Sequence, residues 1–341
     1  MSNVEKNSHI PALDGWRGFA VMLVLIGHFG GDGYFPNLGS SGVDLFFVLS
    51  GRLMAEILFL RKMPLRRFFF RRFTRVYPAL FVFVFVSGIL LAPTSISPGA
   101  IGIFGALTFT LNYLIIESGT FVPTFDHIWS LCVEEQSYVL LVIMAVLLRG
   151  ASIRVIGLSV LALGIAALAN GIVQYDIYGR NPFVVFWPTD VATAPILISA
   201  AIFLLFGELL NQPRLTWIVP LGFFGGVILR VFGDSAWAFF GAKALLMSVA
   251  VCALGQSTRF SKALFEGPLI RQIGRMSFSL YIWQQPFHVA ALGGVIAQPI
   301  ALALAICCAS ISFYLVEQPA RERLNAWFER DKVQSAISVH G

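Results

Sequence analysis

The chain has 341 residues, of which 57% are hydrophobic and 12% are charged, and its formal net charge is +6. Soluble domains carry about a quarter charged residues, so this composition excludes an ordinary water-soluble fold. The basic residues cluster in short loops beside apolar runs, which is the positive-inside pattern of membrane proteins and explains the charge without a nucleic-acid partner.

Apolar runs recur from Gly15 to Val316, and each is long enough to cross a hydrocarbon core of about 30 Å as a helix. They predict an all-α, polytopic transmembrane bundle with about ten crossings, in a single domain over residues 1–341. The first run is not followed by the small residues of a signal-peptide cleavage site, so we expect it to remain as a span. The predicted spans are 14–33, 42–60, 76–94, 129–148, 154–173, 189–207, 216–233, 237–256, 278–296 and 299–317.

Charge between the spans predicts the orientation. The loop after the second span is rich in arginine, which predicts that this loop and the N-terminus are cytoplasmic. Later basic loops and the tail from Arg321 are expected on the same side, which requires an odd number of crossings between 76 and 128. The apolar segment 100–116 is therefore expected to be re-entrant or to lie along the outer side, where it would help wall a cavity. Both termini are then cytoplasmic.

Two ionisable residues lie in the first span, Arg17 near its cytoplasmic boundary and His28 toward the outer leaflet. They are eleven residues apart, so a helix places them on nearly the same face with a rise of about 16 Å between them. The alternative is that both residues are structural, with Arg17 extending its charge to the membrane surface and His28 hydrogen-bonded in the core. Because ionisable groups within a span are costly, we favour a functional pair.

The segment RRFTRVYP carries Arg72 and Arg75 three residues apart just before the third span. On a helix both guanidinium groups can address one ligand, and their planar forks suit phosphate. The alternative is that these arginines serve only topology or contact anionic lipid.

The segment HIWSLCVEEQSY places Glu134 and Glu135 inside a membrane helix, where an unpaired carboxylate is costly. If this helix enters from the outside, Glu134 lies at a depth similar to that of His28. We therefore expect a Glu134 carboxylate that contacts His28 and orients its imidazole.

Six segments follow one another from Leu13 to Pro319: LDGWRGFAVMLVLIGHF, GVDLFFVLSG, RRFTRVYP, HIWSLCVEEQSY, GRMSFSLYIWQQP and YLVEQP. In order and spacing this series resembles the membrane acyltransferase-3 family. The resemblance implies that Arg17 and His28 match the family's Arg-x10-His pair, and that Arg72 and Arg75 match its Arg-x-x-Arg pair. It also implies that cytoplasmic acyl-CoA acylates acceptors that are mostly carbohydrates across the membrane.

The chain departs from that pattern at three positions. Arg52 stands where similar sequences have an apolar residue, and Glu56 lies one turn on, placed to pair with it. Gln284 replaces a frequent histidine, and Ser137 replaces an aromatic residue.

Further polar residues within the spans are candidates for acceptor contact. Asp44, Asp190 and Lys243 fall toward the outer ends of their spans, where they would bind sugar hydroxyls or form a structural ion pair. Glu135 and Gln284 complete the candidate acceptor-binding set. The four cysteines lie in apolar runs without paired spacing, so neither a metal site nor a disulfide is expected.

The resemblance therefore predicts an O-acyltransferase of the bacterial inner membrane that uses acetyl-CoA to acylate a surface or lipid-linked glycan. Arg72, Arg75 and Arg17 would hold the donor, while His28, oriented by Glu134, would act as general base or as a transient acyl carrier. A transporter or flippase is the leading alternative, because buried charges also mark substrate pathways, although no inverted repeat is visible. A non-catalytic membrane scaffold is the third.

Overall fold

The computed structural model describes residues 11–30, 35, 37–212, 215–233, 241–254 and 259–338, and these residues form helices and no strand. The helices are α1 (Pro11–Phe29), α2 (Leu38–Met54), α3 (Leu65–Leu91), α4 (Gly99–Thr108), α5 (Leu111–Ser118), α6 (Ile128–Leu147), α7 (Ile153–Ile172), α8 (Pro182–Phe186), α9 (Thr189–Ala192), α10 (Ala194–Leu210), α11 (Ile218–Phe232), α12 (Lys243–Cys252), α13 (Arg259–Phe265), α14 (Pro268–Arg275), α15 (Ser277–Leu292), α16 (Gln298–Ser312) and α17 (Gln318–Ser338). Short π-helical segments continue α2, α7 and α16.

Contacts between residues divide the chain into two units, each built from two separate stretches of sequence. The first unit combines the described residues up to Arg61 with Val133–Ser277, and the second combines Lys62–Cys132 with the described residues from Phe278 onward. Helix α6 begins in the second unit and continues in the first. The prediction of one domain over residues 1–341 stays a prediction.

The predicted all-α membrane architecture is confirmed. Among the described residues, six helical stretches are long and apolar enough to cross a membrane, and shorter apolar helices accompany them. The six are Pro11–Phe29, Leu65–Leu91, Ile128–Leu147, Ile153–Ile177, Thr189–Leu210 and Gln298–Arg330. The count of ten crossings stays a prediction, and the predicted span 237–256 and the end of 14–33 lie partly outside the described residues.

The segment 100–116 does not form one long helix. It forms α4 and α5, which are separated at Phe109, a residue with a left-handed backbone (φ 55°). Ten residues of α4 rise about 15 Å, half of what a crossing needs. This break favours the re-entrant arrangement over an additional crossing.

Glycines let α1 approach α2 closely. A methyl group at Gly27 would lie 2.3 Å from the backbone nitrogen of Gly39, and one at Gly42 would lie 2.3 Å from the carbonyl oxygen of Ala20. Any larger residue would collide with the partner's backbone, so the short separation depends on these glycines. The two helices are antiparallel, with Gly27 opposite Gly39 and Gly42 opposite Val24. Extended along the helices, this register places Ser50 opposite Trp16.

Two further helices of the first unit orient it. Helix α10 runs in the direction of α2, because Ser199 donates to the Val48 carbonyl at 2.6 Å and, further along both helices, Arg52 stacks on Phe203 at 4.7 Å. Helix α7 runs in the opposite direction, with Gly157 against Leu205 and Gly164 against Ile198. The end of α7 and the start of α10 therefore lie at the end of the unit where α2 begins.

Exposed aromatic side chains follow one face of α3 in the second unit. Phe73, Tyr77, Phe81 and Phe85 recur every four residues, with successive ring centroids 4.8, 5.6 and 6.1 Å apart. Phe73, Phe81 and Phe85 are exposed. On a helix this spacing forms one continuous apolar stripe, which suits contact with lipid chains.

We predict that Gly42→Ala lowers the thermal unfolding temperature of the detergent-solubilised protein, because its methyl group forces α1 and α2 apart. Overpacking of this kind costs about 1 to 3 kcal/mol. Gly150→Ala is the matched control, since a methyl group there meets no atom within 4 Å. Equal unfolding temperatures for the two variants would show that close packing of α1 on α2 is not needed for stability.

Candidate functional site

His28 lies in the last turn of α1, beside the first turn of α2. A methyl group at Gly39 would lie 3.4 Å from Cδ2 and 3.5 Å from Nε2 of the imidazole, which is ordinary van der Waals contact, so the ring lies directly beside Gly39. The side chain is half-buried. The N-terminal end of a helix carries partial positive charge and outward-pointing backbone N–H groups. The imidazole is thus held at a place that favours developing negative charge.

Arg17 lies on the same helix, as the sequence predicts, and about 16 Å of helical rise separates it from His28. Its guanidinium lies 3.9 Å from the Asp14 carboxylate, with both side chains mostly buried. The two predicted functional residues of the first span are therefore at opposite ends of one rigid element.

Glu134 is bonded to α2 and to its own helix. Its Oε1 accepts a hydrogen bond of 2.5 Å from Ser50 and a second from Tyr138. Ser50 follows Gly39 by eleven residues on α2, which is about 16 Å of rise. The register of α1 and α2 thus places Ser50 near the level of Arg17. The expected contact between Glu134 and His28 stays a prediction.

Glu135, the next residue of α6, is half-buried. Gln136 beside it accepts a hydrogen bond from Thr189, and Ser137 lies 2.8 Å from Thr193. The polar residues of this helix thus contact α9 and the start of α10. Nothing in these contacts assigns Glu135 to an acceptor.

Asp44 and Lys243 form an ion pair, which is one of the two roles, sugar binding or ion pairing, that the sequence predicts for them. Lys243 Nζ donates to Asp44 Oδ2 at 2.5 Å, and Arg230 Nε lies 3.2 Å from the same oxygen, with all three side chains at most 2% exposed. Phe186 stacks on both cations, 4.8 Å from Nζ and 5.2 Å from the guanidinium carbon. A cavity of about 10 Å³ beside Asp44 has room for one water molecule. The geometry favours the structural reading of this pair.

Asp190 and Gln284 lie in different units. Asp190 is exposed and accepts a hydrogen bond of 2.7 Å from Asn170. Gln284 is fully buried in the second unit and donates to Gln285 at 3.2 Å. The predicted pairing of Arg52 with Glu56 is confirmed, at 3.6 Å.

Arg72 and Arg75 lie half-buried on α3 in the second unit, three residues apart as the sequence predicts. Arg75 is within electrostatic reach of Glu317, a buried carboxylate that accepts a 2.6 Å hydrogen bond from Ser279. Arg321 acts on the same carboxylate. Earlier on α3, Arg67 and Arg71 contact Glu329 of α17 at 2.9 and 3.7 Å.

Sequence reasoning missed a second polar cluster at the start of α6. Tyr281 donates to the His127 carbonyl at 2.8 Å and lies 2.6 Å from Ser130 Oγ, while the His127 ring packs edge-on against Phe83. Burial raises the pKa of the neighbouring Asp126 carboxyl to about 6, although the Val122 N–H donates to it. The available signal was His127 itself, the first residue of the segment HIWSLCVEEQSY.

Comparison with known proteins gives a family match over residues 10–316, to a model described as an acyltransferase domain. O-acetyltransferase OatA of Staphylococcus aureus strain MRSA252 is 28% identical over 371 aligned positions, covering 97% of this chain and 61% of the relative. OatA of strain NCTC 8325 is 28% identical over 352, covering 92% and 58%. The chain thus spans about three fifths of the length of these curated relatives. No solved structure matches.

We predict that Asp44→Asn destabilises the protein more than Lys243→Met does. Removing the carboxylate takes away the anion that two buried cations share, and loss of one partner of a buried pair costs about 3 to 5 kcal/mol. Removing the lysine instead leaves a balanced pair of Asp44 and Arg230. Thermal unfolding of both variants in detergent measures the order. If both variants unfold like the wild type, Asp44 and Lys243 do not serve the fold, and the acceptor reading revives.

Proposed function

Because the chain belongs to the acyltransferase family whose domain covers residues 10–316, we propose that it is an O-acetyltransferase that acetylates a carbohydrate hydroxyl. Two relatives are named O-acetyltransferase, which supports acetyl as the transferred group. A glycan on the cell surface, or one linked to lipid, is the acceptor that we propose. Family membership favours an enzyme over the transporter or scaffold considered from the sequence.

The observation that carries the proposal is the placement of His28 at the start of α2. In the proposed step, a ring nitrogen of His28 takes the proton of the acceptor hydroxyl, and the hydroxyl oxygen attacks the acyl carbonyl carbon. The carbonyl oxygen becomes an oxyanion, which the positive end of α2 stabilises. The C–S bond of the donor then breaks, and His28 returns the proton to the leaving thiolate. In the alternative route, His28 itself first accepts the acyl group.

In this proposal Arg17 of α1 and Glu134 of α6 act at the level of the N-terminal half of α1, away from His28. Arg17 is placed to bind an anionic part of the donor, and the about 16 Å between it and His28 suits an extended pantetheine arm along α1. Glu134 acts there through its hydrogen bonds with Ser50 and Tyr138, as a positioning group. Direct orientation of His28 by the Glu134 carboxylate stays a prediction.

The donor that we propose is acetyl-CoA, with Arg72 and Arg75 as binding residues for its phosphates. Support comes from their three-residue spacing on α3 and from their bidentate hydrogen-bonding capacity. Arg75 also lies within electrostatic reach of the Glu317 carboxylate. No metal takes part in the proposed reaction.

The basic loop and the first turns of α3 support a cytoplasmic location for Arg61 to Arg75. We accordingly propose that both termini are cytoplasmic, that the protein lies in the bacterial inner membrane, and that its acceptor arrives from the other side. The exposed apolar faces of the helices would contact membrane lipid.

We predict that His28→Gln abolishes acetyl transfer and leaves donor binding intact, because glutamine keeps the approximate size but cannot act as a base. Loss of a general base lowers the rate by about 10² to 10⁴-fold. The assay is transfer from radiolabelled acetyl-CoA to isolated surface glycan, with calorimetry for donor binding. His288→Gln, at a histidine of the second unit, is the control. Normal transfer by folded His28→Gln protein would refute the role of His28.

We predict that the double variant Arg72→Ala, Arg75→Ala binds coenzyme A at least about tenfold more weakly, since it loses two bidentate phosphate contacts. Lysine at both positions should restore affinity only in part, because it keeps the charge and loses the fork. Arg71→Ala is the matched control on the same helix, where the arginine contacts Glu329. Unchanged affinity in the double variant would leave these arginines with a topological role only.

A further inference from the structure

A chain of polar side chains crosses the end of the first unit where α7 stops and α9 begins. Arg180 Nη1 donates to Gln174 Oε1 at 3.1 Å, Gln174 Nε2 donates to Asn170 Oδ1 at 2.9 Å, and Asn170 Nδ2 donates to Asp190 Oδ2 at 2.7 Å. The bonds all run in one direction, so the chain ends in a guanidinium with donors to spare and a carboxylate with lone pairs to spare. Both terminal residues, Arg180 and Asp190, are exposed.

An exposed aromatic ring accompanies this polar chain. Tyr178 is 68% exposed and lies between Gln174 and Arg180, in a turn closed by a 3.1 Å backbone hydrogen bond from Arg180 to Gln174. The turn holds Tyr178 by its backbone. A flat ring beside fixed donors and acceptors is the combination that binding sites for polar ring-shaped ligands use.

This surface lies at the His28 end of the first unit. Asn170 belongs to the last turn of α7, and Asp190 precedes α10. Since α7 ends and α10 starts where α2 begins, and His28 lies beside the first turn of α2, the polar chain and His28 share that end. In the proposed orientation it is the outer side, from which the acceptor arrives.

We infer that Asn170, Gln174, Tyr178, Arg180 and Asp190 form a binding surface for the carbohydrate acceptor, an assignment that rests on the proposed function. A pyranose offers neighbouring hydroxyls that both donate and accept, which matches the two ends of the chain, and an apolar ring face that fits Tyr178. The surface carries one exposed cation and one exposed anion, Arg180 and Asp190, which suits a neutral ligand rich in hydroxyls. Within the described residues Asp190 has no cationic partner, so its charge is available to hydroxyl donors.

The competing explanation of these exposed polar residues is that they only solvate the end of a helix. A neighbouring acid, Asp176, distinguishes this explanation from acceptor binding. Asp176 is an exposed acid in the same turn, but no bond of the chain includes it. If charge at the membrane boundary were all that mattered, Asp176 and Asp190 would be equivalent. Under our inference only Asp190 recognises the acceptor.

The test uses the full-length protein carrying Asp190→Asn together with Tyr178→Ala, with Asp176→Asn as the matched control. The probe is surface glycan isolated from cells that lack this protein, titrated at saturating acetyl-CoA. We expect the KM for glycan to rise at least about tenfold in the double variant, with the KM for acetyl-CoA unchanged, because the variant loses both the carboxylate and the aromatic contact to the sugar. A thermal-unfolding scan establishes that each variant is folded.

A second measurement does not depend on the donor. Cells lacking the protein are complemented with each form, and alkali-labile acetate is released from their surface glycan. Loss of acetate in the double variant and not in Asp176→Asn supports the inference. Full acetylation by the double variant, or equal loss in the control, overturns it. If the wild type itself adds no acetate, the proposed function fails, a result distinct from failure of this surface alone.

Discussion

The close packing of α1 on α2 is the contact on which the proposed chemistry depends. Gly27 and Gly42 lack the side chains that would otherwise keep the two backbones apart. In a lipid environment, where water does not drive helices together, small residues at the interface allow van der Waals contact between backbones. The result is a rigid antiparallel pair that holds His28 against the first turn of α2. A looser pair would leave the imidazole without a fixed position relative to the helix end.

Charged side chains inside the first unit follow a consistent rule. Arg52 has Glu56 and the ring of Phe203, and Asp44 has both Lys243 and Arg230. Each such charge is costly alone in a medium of low dielectric constant, so each is found with a partner. The excess positive charge around Asp44 is partly offset by Phe186, whose ring stacks on both cations. Their mutual pairing favours a structural role for these groups, distinct from the residues that we assign to catalysis.

The first unit has two chemically different ends. Arg17 and the hydrogen-bonded group of Glu134, Ser50 and Tyr138 lie toward one end of α1. His28 lies toward the other, together with the polar chain that ends at Asp190. Under the proposed function this polarity matches the reaction, because an anionic donor and a neutral polyhydroxylated acceptor need opposite recognition chemistry. The rise of about 16 Å between Arg17 and His28 is shorter than a hydrocarbon core of about 30 Å, so both lie within one crossing.

The sequence by itself determined the features that depend on local patterns. Hydropathy over about 20 residues predicts membrane helices, and helical periodicity places Arg17 and His28 on one helix and Arg52 next to Glu56. Only the tertiary structure decided which helix faces meet. Lys243 reaches Asp44 from 199 residues away, and Arg230 of α11 joins them. Glu134 accepts from Ser50, a contact that the sequence does not reveal, because a side chain's partner depends on helix register and direction, and hydropathy is insensitive to both.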